Sequence, residues 1–331
     1  MIIIAPDKFK GTLTAPQAAK AISYGLRDAG VADRLLLYPM ADGGDGTAAV
    51  LSEILKEDAR VVETHRCIGP QCFACDAAER SSYELGAEIK RALSCNDRVL
   101  VGIGGTACCD GGAGMLQALG LRAFRADGSE IAEHLTPDLL MHVAAVDISA
   151  LPRGASITAL SDVRASLTPT PDFALSALDF ALQKGFTVDY LPQLAGALAH
   201  WHSVVAPGLS SLVDGAGGGV GFALATVLGA EVRSGAAFVA DAYDMPLAGA
   251  RLVISGEGRI DAQSGAGKVV DEMARRAYAA GTEFLAIGGS VAGTHPFPTL
   301  AVDAPDIPQP YSPAEAAARL RRAVAAHFHH E

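Results

Sequence analysis

Short, almost continuous apolar runs alternate along this chain with segments whose apolar positions recur every three or four residues. The runs at 1–5, 34–39, 98–103, 251–255 and 283–288 are β-branched or leucine-rich, which predicts parallel strands buried on both faces. Between them the period lengthens. Ala18, Ile22, Leu26 and Ala29 mark one face of a helix opening at Thr14, with Gln17 placed three residues on to close a capping box. Thr47 begins a second helix through Val50, Leu51, Ile54 and Leu55. Ser312, Pro313 and Glu315 read as N-cap, first and third positions of a last helix. Strand–helix alternation with short connections predicts an α/β fold built on a doubly wound parallel sheet.

The rhythm changes between residues 120 and 250. There the chain offers the segments Asp138 to Ile148 and Ser156 to Leu167 and the turn Thr168-Pro-Thr-Pro171. Helical stretches from Phe173 to Lys184 and Leu191 to Trp201, then the loop Asp214-Gly-Ala-Gly-Gly-Gly-Val-Gly221, follow. No simple strand–helix–strand series emerges. This predicts a second, mixed α/β domain inserted into the first, with hinges near residues 120 and 248. The chain's 331 residues are comfortable for two domains.

A formal net charge of −11 and the lack of any basic stripe argue against nucleic acid as a partner. No apolar run reaches the roughly 18 residues of a membrane span, and Met1-Ile-Ile-Ile-Ala-Pro-Asp-Lys8 has no basic leader, which predicts a cytoplasmic protein with no membrane partner. Of the six cysteines, Cys67, Cys72 and Cys75 crowd one segment near His65. Cys72-Phe-Ala-Cys75 has zinc-knuckle spacing, so zinc is one reading; small apolar packing residues are the other.

The chemistry concentrates where strands end. Asp7 follows the first run, Ala41-Asp-Gly-Gly-Asp-Gly-Thr47 the second, Gly102-Ile-Gly-Gly-Thr-Ala107 with Asp110 the third, and Ser255-Gly-Glu-Gly-Arg-Ile-Asp261 the fourth. Gly102 to Ala107 formally matches a dinucleotide fingerprint, but Cys108-Cys-Asp-Gly-Gly112 stands between it and the next helix, and Asp110 would repel a pyrophosphate. Gly267-Lys268 lacks the rest of a Walker A loop. Phosphoryl transfer fits better, because it needs backbone donors, cations and carboxylates together. Lys8, Lys10, Lys184 and Lys268 are the cations on offer, and Asp7, Asp42, Asp45, Asp110, Asp162, Glu257 and Asp261 the acids.

These stretches, together with Ile4-Ala-Pro-Asp-Lys-Phe-Lys-Gly-Thr-Leu-Thr14, Gly215-Ala-Gly-Gly-Gly-Val-Gly221 and Leu228-Gly-Ala-Glu-Val-Arg-Ser-Gly235, resemble the bacterial glycerate kinase family of the first type, in the family's order and over almost the whole chain. The resemblance implies a flavodoxin-like domain formed by 1–58, 82–120 and 248–331, an inserted mixed α/β domain formed by 59–81 and 121–247, and an active site in the cleft between them. It implies ATP- and Mg²⁺-dependent phosphorylation of glycerate, or of a closely related small hydroxy acid, to 2-phosphoglycerate, by a monomer or homodimer. On this reading Asp162, Lys10 and Asp42 are catalytic, with Asp162 orienting or deprotonating the attacking hydroxyl. Asp7, Asp45, Glu257, Arg259 and Asp261 bind substrate, Arg259 being suited to a bidentate clamp on the glycerate carboxylate. Gly104, Gly105, Thr106, Asp110, Gly217, Gly218, Gly219 and Lys268 bind nucleotide, and Asp42, Asp110 and Glu257 are the Mg²⁺ candidates. Residues 60–80 are shorter than in the family and carry the cysteines; Ser82-Tyr-Glu-Leu-Gly86, Asp162-Val-Arg-Ala-Ser-Leu167, Leu182-Gln-Lys-Gly185 and Cys109 depart from its motifs. Those departures make a kinase-derived binding or sensor protein the alternative.

Overall fold

The computed structural model describes residues 1–56, 59–161, 163–208, 215–261, 268–303 and 311–329. Its strands are, in chain order, β1 (Ile2–Ile4), β2 (Leu35–Leu37), β3 (Arg60–Glu63), β4 (Arg98–Gly102), β5 (Arg122–Phe124), β6 (Ala145–Asp147), β7 (Ser156–Ser161), β8 (Glu231–Ser234), β9 (Leu252–Ile260), β10 (Glu283–Val291) and β11 (Thr299–Ala301). The chain divides into two compact units, residues 1–42 with 236–331, and residues 43–235.

The first unit is a five-stranded parallel sheet in the order β2-β1-β9-β10-β11. Counted within the unit alone this is 2-1-3-4-5, the flavodoxin-like winding. Ile2, Ile3 and Ile4 are wholly buried, as a strand covered on both faces requires. Ile2 and Ile4 pack with Ile22 and Leu26 of the helix Ala15–Asp28 and with Leu320, Val324 and Phe328 of the helix Pro313–Phe328. Each such side chain contributes roughly 1.5–3 kcal/mol by leaving water. Both helix starts follow the sequence. Thr14 Oγ1 accepts from the Gln17 amide while Gln17 Oε1 accepts from the Thr14 amide at 2.9 Å. Ser312 Oγ accepts from the Glu315 amide at 3.2 Å.

The second unit holds a four-stranded parallel sheet, β3-β4-β7-β8, and the antiparallel pair β5-β6. Trp201 is fully buried at its centre, and its indole N–H donates to Gly111 O at 3.1 Å.

Three expectations are corrected here. Residues 43–58 and 82–120 do not belong with the first sheet, because β4 pairs with β3 and β7. A buried apolar run announces a central parallel strand but carries no label for its sheet. The chain accordingly passes between units at 42–43 and 235–236 rather than near 120 and 248. The stretch from Phe173 to Lys184 is two short 3₁₀ turns, Ala177–Phe180 and Leu182–Lys184, instead of one helix. Asp179 closes a capping box on Ser176 so late that little length remains before Gly185 ends the second turn at φ +96°. No described helix is long and apolar enough to cross a membrane.

Candidate functional site

In an open α/β sheet the ligand crevice lies beyond the carboxyl ends of the strands, where the winding reverses direction. In the first unit that point falls between β1 and β9. Past β1 the chain stays paired with β9, Ala5 N donating to Ile254 O at 2.7 Å and Asp7 N to Gly256 O at 2.8 Å. This sets Asp7 beside Glu257. On the other side, Tyr38 N donates to Ile4 O and Met40 N to Pro6 O, which brings Asp42 to the same end of the sheet.

Lys8 joins them. Its Nζ lies 3.5 Å from Asp7 Oδ2 and 3.4 Å from Asp42 Oδ1, and its amide donates to Asp7 Oδ1 at 2.7 Å. Asp7 is buried, and burial, reinforced by the neighbouring Asp42 and Glu257 carboxylates, pushes its carboxyl up to about 8 despite the opposing pull of Lys8. Lys268 Nζ stands 4.0 Å from Glu257 Oε2. Of the residues singled out from sequence, Asp7, Asp42, Glu257 and Lys268 thus gather at the switch point. Lys10 is exposed, and Arg259, also exposed, is engaged with Asp261 at 3.0 Å. Lys8 was legible only as one of four cations; its place between two strand ends follows from the pairing of β1 with β2.

In the second unit the Gly104–Ala107 loop leaves β4 with its carbonyls held by side chains. Thr64 Oγ1 donates to Gly104 O at 2.7 Å, and Lys184 Nζ donates to Thr106 O at 2.6 Å and also to Thr106 Oγ1. Arg80 Nη1 donates to Ala107 O at 3.4 Å and to Lys184 O at 2.6 Å. Gly105 is exposed at φ +75°; among the described residues no acceptor meets its amide. Asp110 has another task. Wholly buried, it accepts from Ser82 N, Ser82 Oγ, Gly112 N and Gly114 N at 2.7, 2.7, 3.0 and 3.1 Å, which engages its lone pairs within the fold. Burial raises its pKa while these donors hold it down.

Gly217, Gly218 and Gly219 face their own chain. Gly111 N donates to Gly218 O at 3.0 Å, and a Cβ at Gly218 would lie 2.1 Å from Cys108 O. Asp45 is exposed ahead of the helix Thr47–Leu55, and Asp162 lies outside the described residues. The zinc reading is corrected: Cys72 and Cys75 are exposed, Cys67 packs half-buried against the core, and among the described residues no three His, Cys, Asp or Glu side chains are grouped to hold a metal. Burial pushes the Cys67 thiol up to about 11 and the Cys109 thiol to about 12.

The model of the glycerate kinase family matches residues 2–77 and 54–327. A glycerate kinase of Bacillus subtilis (strain 168) is 33% identical, the match covering 88% of this chain and 85% of that protein. A glycerate 2-kinase of Escherichia coli (strain K12) is 32% identical with the same coverage. A crystal structure of a glycerate kinase 2 from Salmonella typhimurium LT2 superposes with a TM-score of 0.79 at 30% identity, over 99% of this chain and 96% of that one. With the family's model matched along nearly its whole length and a shared fold, the chain belongs to the glycerate kinase family of enzymes.

Proposed function

We propose that the chain transfers the terminal phosphoryl group of ATP, with Mg²⁺, to the 2-hydroxyl of glycerate or of a closely related small hydroxy acid. The observation that carries this reading is the gathering of Asp7, Lys8 and Asp42 with the Glu257–Lys268 pair at the switch point of the first unit, in a family of glycerate kinases. The E. coli relative's name supports the 2-position.

The donor set of the first unit suits Mg²⁺. Asp42 and Glu257 offer hard carboxylate oxygens, and both act on Asp7 from close by. Mg²⁺ is ordinarily held by one or two carboxylates together with substrate phosphates, so no larger protein cage is needed. Asp110, with its oxygens engaged by four donors, does not suit it. The chemistry that Mg²⁺ supplies here is neutralisation of charge across the phosphates. Lys8 and Lys268 supply the fixed positive charge, and Asp7 a buried hydrogen-bonding group for a substrate hydroxyl. Arg259 and Lys10, exposed, are the candidates for the substrate carboxylate, and Asp162 is the candidate acceptor for the hydroxyl proton.

Incubation with ATP, Mg²⁺ and a panel of hydroxy acids, read by ADP release and by phosphorus NMR of the product, tests this. Turnover of glycerate to the 2-phosphate is the expected result. A folded protein that turns over none of the acids would overturn it.

A further inference from the structure

The Gly104–Ala107 loop is held from below by two cations, and this carries an inference that rests on the phosphoryl-transfer reading above. We propose that Lys184 and Arg80 are positioning residues that shape this loop to receive a phosphate group of the nucleotide.

A trans peptide points its C=O and N–H in opposite directions. Thr64 Oγ1 holds Gly104 O at 2.7 Å, so the Gly105 N–H is aimed away from Thr64, and it meets no acceptor among the described residues. Lys184 donates to Thr106 O and to Thr106 Oγ1, so the hydroxyl keeps its own hydrogen for another partner. A backbone amide and a hydroxyl are thereby both left as donors on adjacent residues, above a buried ammonium. Lys184 is itself tied down. Arg80 holds its carbonyl at 2.6 Å, reaches Ala107 O at 3.4 Å, and donates to Cys75 O from Nε and Nη2 at 3.2 and 3.1 Å. Donors without acceptors over fixed positive charge suit a phosphate, and charge-assisted bonds of this kind are the strong ones.

The test uses the full chain and two readouts: calorimetric titration with a non-hydrolysable ATP analogue, and KM for ATP and for glycerate measured separately. Lys184→Met is expected to weaken analogue binding about tenfold or more and to raise KM for ATP alike, while KM for glycerate stays within about twofold. Lys184→Arg should recover part of the loss, and Arg80→Lys should fall between wild type and Lys184→Met. A rise in KM for glycerate equal to that for ATP would assign the loop to the substrate carboxylate and overturn the proposal, as would unchanged analogue binding. Should Lys184→Met fail to fold, Thr106→Val reads the same donor, and unchanged binding there is equally fatal. Analogue binding does not depend on turnover. An inactive wild type whose analogue affinity still falls in Lys184→Met would sink the glycerate reading and leave this one standing.

Discussion

Lys8 ties two strand ends together: its Nζ lies 3.4 Å from Asp42 Oδ1 while its own backbone follows directly on Asp7. The ammonium thus balances the Asp42 carboxylate in a partly buried place, while the raised pKa of Asp7 keeps its carboxyl protonated near neutrality, and a fixed cation stands at the edge of the site. Lys10, two residues on, is exposed and has no such post.

Lys8→Met is therefore expected to lower kcat/KM for glycerate phosphorylation about 100-fold or more, the scale on which a preorganised charge acts in phosphoryl and acyl transfer. Lys10→Met, at a candidate position for the substrate carboxylate, should raise KM for glycerate and leave kcat within about fivefold. Steady-state kinetics on both variants decides between them, and equal losses in kcat would remove the distinction drawn from their burial.

Asp7 makes the stability of the metal-free protein depend on pH. Its carboxyl titrates near 8 when folded and near 3.8 when unfolded, so between those values the native state holds a proton that the unfolded chain gives up. The stability it contributes is full below about 4 and is lost as pH rises towards 8. Urea unfolding in chelator from pH 5 to 8.5 should show wild type weakening relative to Asp7→Asn as pH increases. Parallel curves would contradict the raised value.

Gly218 is expected to be intolerant of even one methyl group. A Cβ there would stand 2.1 Å from Cys108 O at a residue with φ +69°, so Gly218→Ala should cost about 3 kcal/mol or more, through overpacking together with left-handed strain. Gly128 at φ +85° has nothing within 4 Å, and Gly128→Ala should cost only about 1 kcal/mol. Thermal melts of the two variants make the comparison.

Five of the six thiols separate into two classes, with the half-buried Cys67 between them. Cys72, Cys75 and Cys95 are exposed and should react with a maleimide in the native protein, whereas Cys108 and Cys109 should react only after unfolding. Mass spectrometry of peptides labelled before and after denaturant gives the answer. Elemental analysis of protein purified without chelator should find no stoichiometric zinc.

Much of this was legible because local rules and tertiary structure agree. The capping residues Thr14 and Ser312 open helices where their hydroxyls can reach the third amide, and the all-apolar runs became strands covered on both faces. The carboxylates at strand ends were legible for the same reason, since Asp7, Asp42 and Glu257 sit where a parallel sheet must expose its crevice. What resisted reading depends on partners distant in sequence. Nothing local tells that Arg98–Gly102 pairs with Arg60–Glu63 instead of Ile2–Ile4, or that Asp110 spends its oxygens on Ser82, 28 positions earlier. Glycine invites a ligand and a neighbouring loop equally, and at Gly218 the loop is there. The short strand Thr299–Ala301 has no buried residue to announce it.

The winding of the first sheet has a consequence for how the chain is made. Its inner strand β1 is synthesised before residues 43–235, yet one of its two neighbours, β9, begins only at Leu252. At ~5–20 residues per second, synthesis keeps Ile2–Ile4 waiting on the order of ten seconds or more with an unsatisfied edge. Residues 43–235, complete about 1–3 s before β9 begins at that rate, form a compact unit of their own. The order of assembly thus runs from the inside of the sequence outwards: the inserted segment can fold first, and the sheet that encloses it in sequence closes last. Three fully apolar residues left waiting that long are a natural hold for a chaperone, and the point at which a slowly translated or truncated chain would begin to aggregate.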